Sequence, residues 1–238
     1  MKMKKCIQLI TAIVTLMGAA YKFKPKPVAP PPPPPPPVDT TPPKRTRMID
    51  VSNFWLSGVT SDVDAVRYMT AAKATGYDGV VALAYWPSLT HQQMWAAREA
   101  GMFSDMYVFP DWKGGADQSI PVGRVKASWE APCWVWIDLE DQDLEGVDAH
   151  LVVTTLHNEL VEAGYNVGIY TSRYWWNTFM PNYWGSAFGP LWLADPDGTE
   201  ALEDWEEGWG GWYRPTWNQY AFNQNVAGMN ADLNVWSL

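Results

Sequence analysis

The sequence predicts an α/β fold, a small β/α barrel of about eight strands with fewer helices. Three observations carry that expectation. Strand-like runs alternate with helical segments that stop at glycine, eight such runs fit within residues 48–238, and all 16 tryptophans fall in the same stretch. Strand, capped helix, glycine, strand is the pattern of parallel βα units, whose chemistry sits at the C-terminal ends of the strands.

Met48–Ser52 opens the series. Ser61–Thr75 follows as a helix capped by Ser61 and Asp62 and stopped at Gly76; Gly79–Tyr85 is the second strand. Thr90–Ala100 is helical up to Gly101, and Met106–Phe109 is strand three. Trp134–Leu139 is strand four. The helix Asp148–Ala163 after it carries Val152, Leu156 and Leu160 on one face and ends at Gly164. Val167–Thr171, Leu191–Ala194, Asn218–Phe222 and Asp232–Trp236 complete the strands, the last without full helices between them.

The 47 residues before this barrel are of another kind. They hold nine Lys/Arg and one acid (Asp39), a net of +8, whereas residues 48–238 hold eight Lys/Arg and 25 Asp/Glu, a net of −17. So acidic a body argues against nucleic acid as a partner. Lys2, Lys4 and Lys5 precede an uncharged, mostly apolar run, Cys6–Ala20, ending in small residues. That describes a signal peptide or signal anchor over residues 1–21. About 16 helical residues span roughly 24 Å, less than the ~30 Å hydrocarbon core, which favours a cleaved signal. Residues 22–47 form a proline-rich linker: 12 of the 20 prolines lie between Pro25 and Pro43, so helix and sheet are excluded and an extended spacer is expected. The protein is expected to be secreted or extracytoplasmic, with membrane contact only through an uncleaved leader. Removal of that leader leaves Cys133 as the one cysteine and no internal disulfide.

Trp134-Val135-Trp136-Ile137-Asp138-Leu139-Glu140 is the most informative stretch. Asp138 and Glu140 are two residues apart at the end of an apolar strand, hence on one face. Two carboxyl groups in one pocket raise each other's pKa and can keep one protonated near neutral pH, as glycoside hydrolysis requires. Alone, the pair describes a solvated acidic loop equally well. Asp50 closes the first strand and Asp232 begins the last, and in a closed barrel those strands are neighbours. Each is also an ordinary cap or turn acid by itself.

Competing chemistries lack their residues. Asp141-Gln142-Asp143-Leu144-Glu145-Gly146 begins like a calcium loop but has Val152 in the twelfth position. His91, His150 and His157 have no zinc spacing, and there is no G-x-S-x-G elbow, P-loop or dinucleotide fingerprint. Neither metal nor organic cofactor is expected. Most tryptophans belong to the core. The polar-flanked Trp86, Trp112, Trp175, Trp209 and Trp212 are harder to place inside, and aromatic rings at the rim of an acidic pocket suit the flat C–H faces of sugars.

Seven short motifs in order resemble glycoside hydrolase family 25, the Chalaropsis-type lysozymes. They are Asp50-Val51-Ser52-Asn53-Phe54, Asp105 to Pro110, Trp136 to Glu140, Gly168-Ile169-Tyr170-Thr171-Ser172, Leu191 to Ala194, Trp217-Asn218-Gln219-Tyr220, and Gly228 with Asp232-Leu233-Asn234. The resemblance covers residues 48–238. Gly210 to Pro215 and Tyr107 to Pro110 look closer to the eukaryotic lysozyme-like branch.

The resemblance implies an irregular TIM-like β/α barrel that cleaves the β-1,4 bond between N-acetylmuramic acid and N-acetylglucosamine of peptidoglycan, as a monomer. It implies Glu140 as general acid and Asp138 as the partner that orients the substrate's acetamido group in a retaining reaction. Asp50 and Asp232 match the other two acids of the pocket. Tyr107, Tyr170, Trp192 and Tyr220 match residues lining the groove. One segment departs: a charged Lys-Ala-Thr-Glu-Gly-like run after the second strand is here Ala82-Leu83-Ala84-Tyr85-Trp86. That departure and the wealth of tryptophan leave room for a non-catalytic cell-wall glycan-binding module on a tether.

Overall fold

All eight expected strands form, and they close on one another in sequence order. The computed structural model describes residues 46–52, 61–141, 144–200, 205 and 209–236. The expected leader, and the linker up to residue 45, lie outside the described residues. The strands are β1 (Thr46–Val51), β2 (Gly79–Leu83), β3 (Phe103–Val108), β4 (Trp134–Leu139), β5 (Asn166–Thr171), β6 (Leu191–Ala194), β7 (Trp217–Val226) and β8 (Met229–Trp236). Strands β1 to β7 run parallel; β8 is antiparallel to both β7 and β1 and seals the barrel.

Among the described residues the helices are α1 (Asp62–Ala74), α2 (Pro87–Glu99), α3 (Ser119–Ser128), α4 (Ala149–Glu162) and α5 (Arg173–Phe179), with a 3-10 turn at Gly185–Phe188. The Ser61 side chain accepts the Asp64 N–H, and that of Asp148 accepts the Leu151 N–H, satisfying donors left open at a helix start. The stop glycines Gly76, Gly101 and Gly164 have φ of +102°, +70° and +90°. The sequence pattern does not reveal α3 or α5. Pro121 and Gly123 break the helical signal of α3, yet Pro121 sits in the first turn, where a helix needs no N–H from it. Helix α5 has seven residues, too few for a period to show.

Side chains alternate across the barrel wall. Ile49, Val51, Val80, Ala82, Val135, Ile137, Leu139 and Ile169 form the layer beneath the helices. Met48, Val81, Leu83, Tyr107, Trp136, Tyr170, Trp192 and Trp217 fill the interior. Three indoles and two phenols fit because small residues face them. Trp136 is paired in register with Gly168, and a methyl there would lie 2.6 Å from Trp136 Cε3. Strands β7 and β8 form a hairpin turning at Ala227 and Gly228, both with positive φ (+52° and +91°), as a two-residue turn matched to strand twist demands.

The core reading holds for three of the polar-flanked tryptophans. Trp175, Trp209 and Trp212 are core residues, and only Trp86 of the five is strongly exposed. Loop carbonyls make that burial feasible: Trp175 Nε1 donates to Asp141 O (2.6 Å) and Trp212 Nε1 to Gly189 O (2.9 Å).

Candidate active site

The four acids meet at the C-terminal mouth of the parallel strands. Because β8 runs against β1, Asp50 and Asp232 are direct register partners. Asp138 is the inward residue at the top of β4, and Glu140 follows one residue beyond the strand on the same side. Asp50 and Asp138 are 6% and 4% exposed, Asp232 is half-buried and Glu140 reaches solvent.

Burial pushes all four carboxyls toward the protonated form, and repulsion from neighbouring acids adds to it at Asp50, Asp138 and Glu140. For Asp50, burial and then the Asp232 charge raise the pKa to about 7, against the lowering effect of bonds from Asn234 and Gln219. Asp138 is raised well above the ordinary carboxylate range by burial, then by Glu140 and Asp50. Among the described residues no donor reaches Asp138 Oδ1. Glu140 is raised by partial desolvation of its carboxyl, then by Asp232 and Asp141. Asp232 is raised by burial although it accepts the Asn223 N–H at 2.6 Å.

A buried amide network holds Asp50. Its Oδ2 accepts from Gln219 Nε2 and from Asn234 Nδ2, both at 2.8 Å. Tyr170 donates its hydroxyl proton to Gln219 Oε1 (2.6 Å), and Trp192 Nε1 donates to Asn234 Oδ1 (2.9 Å). Each amide is thus fixed in orientation, its oxygen taken by an aromatic donor and its N–H turned to the carboxylate. The sequence reading passes over Gln219 and Asn234 as site residues. The available signal is their place in the strand alternation, as uncharged polar residues facing a barrel interior.

Tyr107, Tyr170 and Trp192 lie beneath this mouth as buried floor, not as an open groove wall. All four acids raise the Tyr107 and Tyr170 hydroxyls, after burial, which places both phenols at the centre of the cluster. Tyr220 is elsewhere. It sits one residue from Gln219, its hydroxyl approaches Glu200 Oε1 (3.4 Å), and its other charged neighbours are Tyr77 and Arg47. These neighbours, and not the four acids, surround its hydroxyl, at a place where the β7–β8 register shifts between Gln219 and Ala221.

Two cavities lie away from the acids. One of about 550 Å³ is lined by His91, Arg98, Lys126 and Trp129. One of about 350 Å³ sits at the N-terminal end of the strands among Met48, Asp105, Trp134 and Trp236. Among the described residues no group of three or more His, Cys, Asp or Glu is placed to hold a metal ion.

No family model matches the chain. Curated proteins do. "Probable GH family 25 lysozyme 2" of Dictyostelium discoideum is 30% identical over 192 residues, covering 75% of this chain and 90% of that protein. "Probable GH family 25 lysozyme 4" of the same organism is 33% identical over 144 residues, covering 58% of this chain and 67% of that protein. Among solved structures, the spore cortex lytic enzyme SleM of Clostridium perfringens superposes with a TM-score of 0.57 at 16% identity, covering 82% of this chain and 67% of that one. This last likeness is one of fold.

Proposed function

Because the chain belongs to glycoside hydrolase family 25, we propose that it is a muramidase that cleaves the β-1,4 bond between N-acetylmuramic acid and N-acetylglucosamine of peptidoglycan. The observation that carries this reading is the convergence of four carboxyls at the C-terminal end of the barrel strands, all with raised proton affinity. Glycoside hydrolysis needs a carboxylic acid still protonated at the working pH and reachable by the leaving oxygen. Glu140 is suited to that role, its proton affinity raised above the ordinary carboxylate range and its side chain at the rim. Its proton passes to the glycosidic oxygen as the C1–O bond breaks. Water then adds at C1 and returns a proton to Glu140. Asp138 lies deeper, its Oδ1 buried without a donor, and takes the role of the partner that orients the substrate's acetamido group. Asp50 and Asp232, once ionised, place negative charge opposite the developing sugar cation, and the Gln219–Asn234 pair keeps Asp50 from turning away. The basic start and apolar run of the leader extend the proposal to an exported enzyme, tested by N-terminal sequencing of the secreted protein.

Muropeptide mass spectrometry of digested peptidoglycan tests the reaction. The expected products end in reducing N-acetylmuramic acid; products ending in reducing N-acetylglucosamine overturn it. Glu140→Gln is expected to fold and to release no fragments, and normal turnover by that variant would assign the acid role elsewhere. Retention on insoluble peptidoglycan with no release by the unaltered protein would instead support the non-catalytic glycan-binding reading.

A further inference from the structure

We propose that Tyr85 and Trp86 form a rigid aromatic shelf on the barrel rim that binds an N-acetylhexosamine ring of the glycan strand outside the cleaved pair, an inference that rests on the muramidase reading. The two residues lie in the turn that leads from β2 into α2, at the end of the barrel that carries the acids. Within β2, Val81 is paired with Asp50 and Leu83 with Tyr107. Beyond Leu83 the chain turns, the Tyr85 N–H donating to Leu83 O at 2.9 Å. The shelf therefore shares the end of the barrel that carries the candidate active site.

Both rings are 42% exposed. They stand edge to face, 5.2 Å apart at 86°, so that together they make a corner with two walls. The Arg124 guanidinium lies 4.1 Å from the centre of the Tyr85 ring and braces it from α3. The backbone beneath is fixed as well. Trp86 O accepts the N–H groups of Leu89 and Thr90 (both 3.0 Å), and the fully buried Thr90 donates its hydroxyl to Leu83 O at 2.7 Å. Pro87, at the first position of α2, sets the chain direction immediately after Trp86.

A preorganised aromatic corner of this kind fits a pyranose. The axial C–H face of the sugar is apolar and slightly positive, and the ring faces are apolar and negative. Binding then costs little ordering of the protein, because the rings are already held. A sugar docked there lies outside the pair being cleaved. Its contacts act equally in the ground and transition states, so they tighten binding without speeding the chemical step.

The test uses the full chain carrying Glu140→Gln, so that the glycan is not consumed, and peptidoglycan glycan strands stripped of their stem peptides as the probe in isothermal titration. Trp86→Ala and Tyr85→Ala are each expected to weaken binding roughly tenfold, the worth of covering one exposed ring face. Trp86→Phe is expected to recover most of the loss, which also guards against an alanine variant that folds poorly; circular dichroism and thermal melting check the fold of each. In the active enzyme the same changes are expected to raise KM for polymeric peptidoglycan and leave kcat within about twofold. Unchanged affinity in folded Trp86→Ala and Tyr85→Ala overturns the shelf, as does a parent that binds no stripped strands. The two readings separate cleanly. Cleavage at the muramic acid bond with unaltered affinity in the shelf variants removes the shelf alone. Loss of affinity in those variants of a chain that never cleaves removes the enzyme reading and keeps the shelf.

Discussion

Replacing Asp50 by asparagine should make the protein more stable and more so as pH rises. The carboxyl titrates near 3.8 when exposed and at about 7 in the folded protein. Between those values the folded chain holds a proton that the unfolded chain has lost. The stability associated with that proton is therefore fully present below about pH 3.8 and disappears as pH climbs through about 7. A rise of that size corresponds to about 4 kcal/mol. Asparagine has the same shape and keeps an oxygen for the Gln219 and Asn234 donors, so both 2.8 Å hydrogen bonds survive while the ionisation is removed. The difference in unfolding free energy between Asp50→Asn and the unaltered protein should be small near pH 3 and grow to about 4 kcal/mol by about pH 8. Urea unfolding at a series of pH values measures it directly, with unchanged m-values confirming that the same surface is exposed. A difference independent of pH, or a variant less stable at alkaline pH, would refute the argument that burial and Asp232 hold this carboxyl protonated. The same substitution should abolish peptidoglycan cleavage, since the charge that destabilises the fold is the one assigned to the reaction.

Two further changes probe the frame. Gly168→Ala places a methyl 2.6 Å from Trp136 Cε3 and should cost about 1–3 kcal/mol by overpacking, read as a lowered Tm; an unchanged Tm would show that the indole can shift within the barrel. Ala227→Gly removes a side chain from a left-handed turn position at φ +52° and should stabilise by about 1 kcal/mol in the same melts, whereas a loss would show that the turn does not need that conformation.

How much of the barrel and its mouth is legible in the sequence depends on what each residue type signals locally. Trp134–Leu139 is legible to the residue, because a short apolar run that ends in alternating acids suits a strand and little else. Closure makes the first and last strands neighbours, and the antiparallel direction of β8 then brings Asp232 opposite Asp50. Strand β3 begins three residues earlier than its apolar signal because Phe103 is exposed and Asp105 interrupts the run. Gln219 and Asn234 are not legible, since a lone buried amide in a strand has no spacing signature; its meaning comes from partners 49 and 42 positions away. Tyr220 is hard to place from its sequence, because the β7–β8 register shifts between Gln219 and Ala221 and strand alternation breaks there. For Trp175 and Trp212 the deciding fact is the acceptor of each indole N–H, a loop carbonyl that composition does not reveal.

The reversed direction of β8 has a mechanical consequence. Thr46, at the start of β1, is the register partner of Trp236, at the end of β8. The chain thus enters and leaves the barrel side by side, at the pole away from the carboxylates. A group joined directly at Thr46 or Trp236, whether a support bead, a fluorescent protein or a second enzyme, is carried behind the working face. Immobilising the barrel at either residue should leave it presenting its mouth outward to an insoluble polymer.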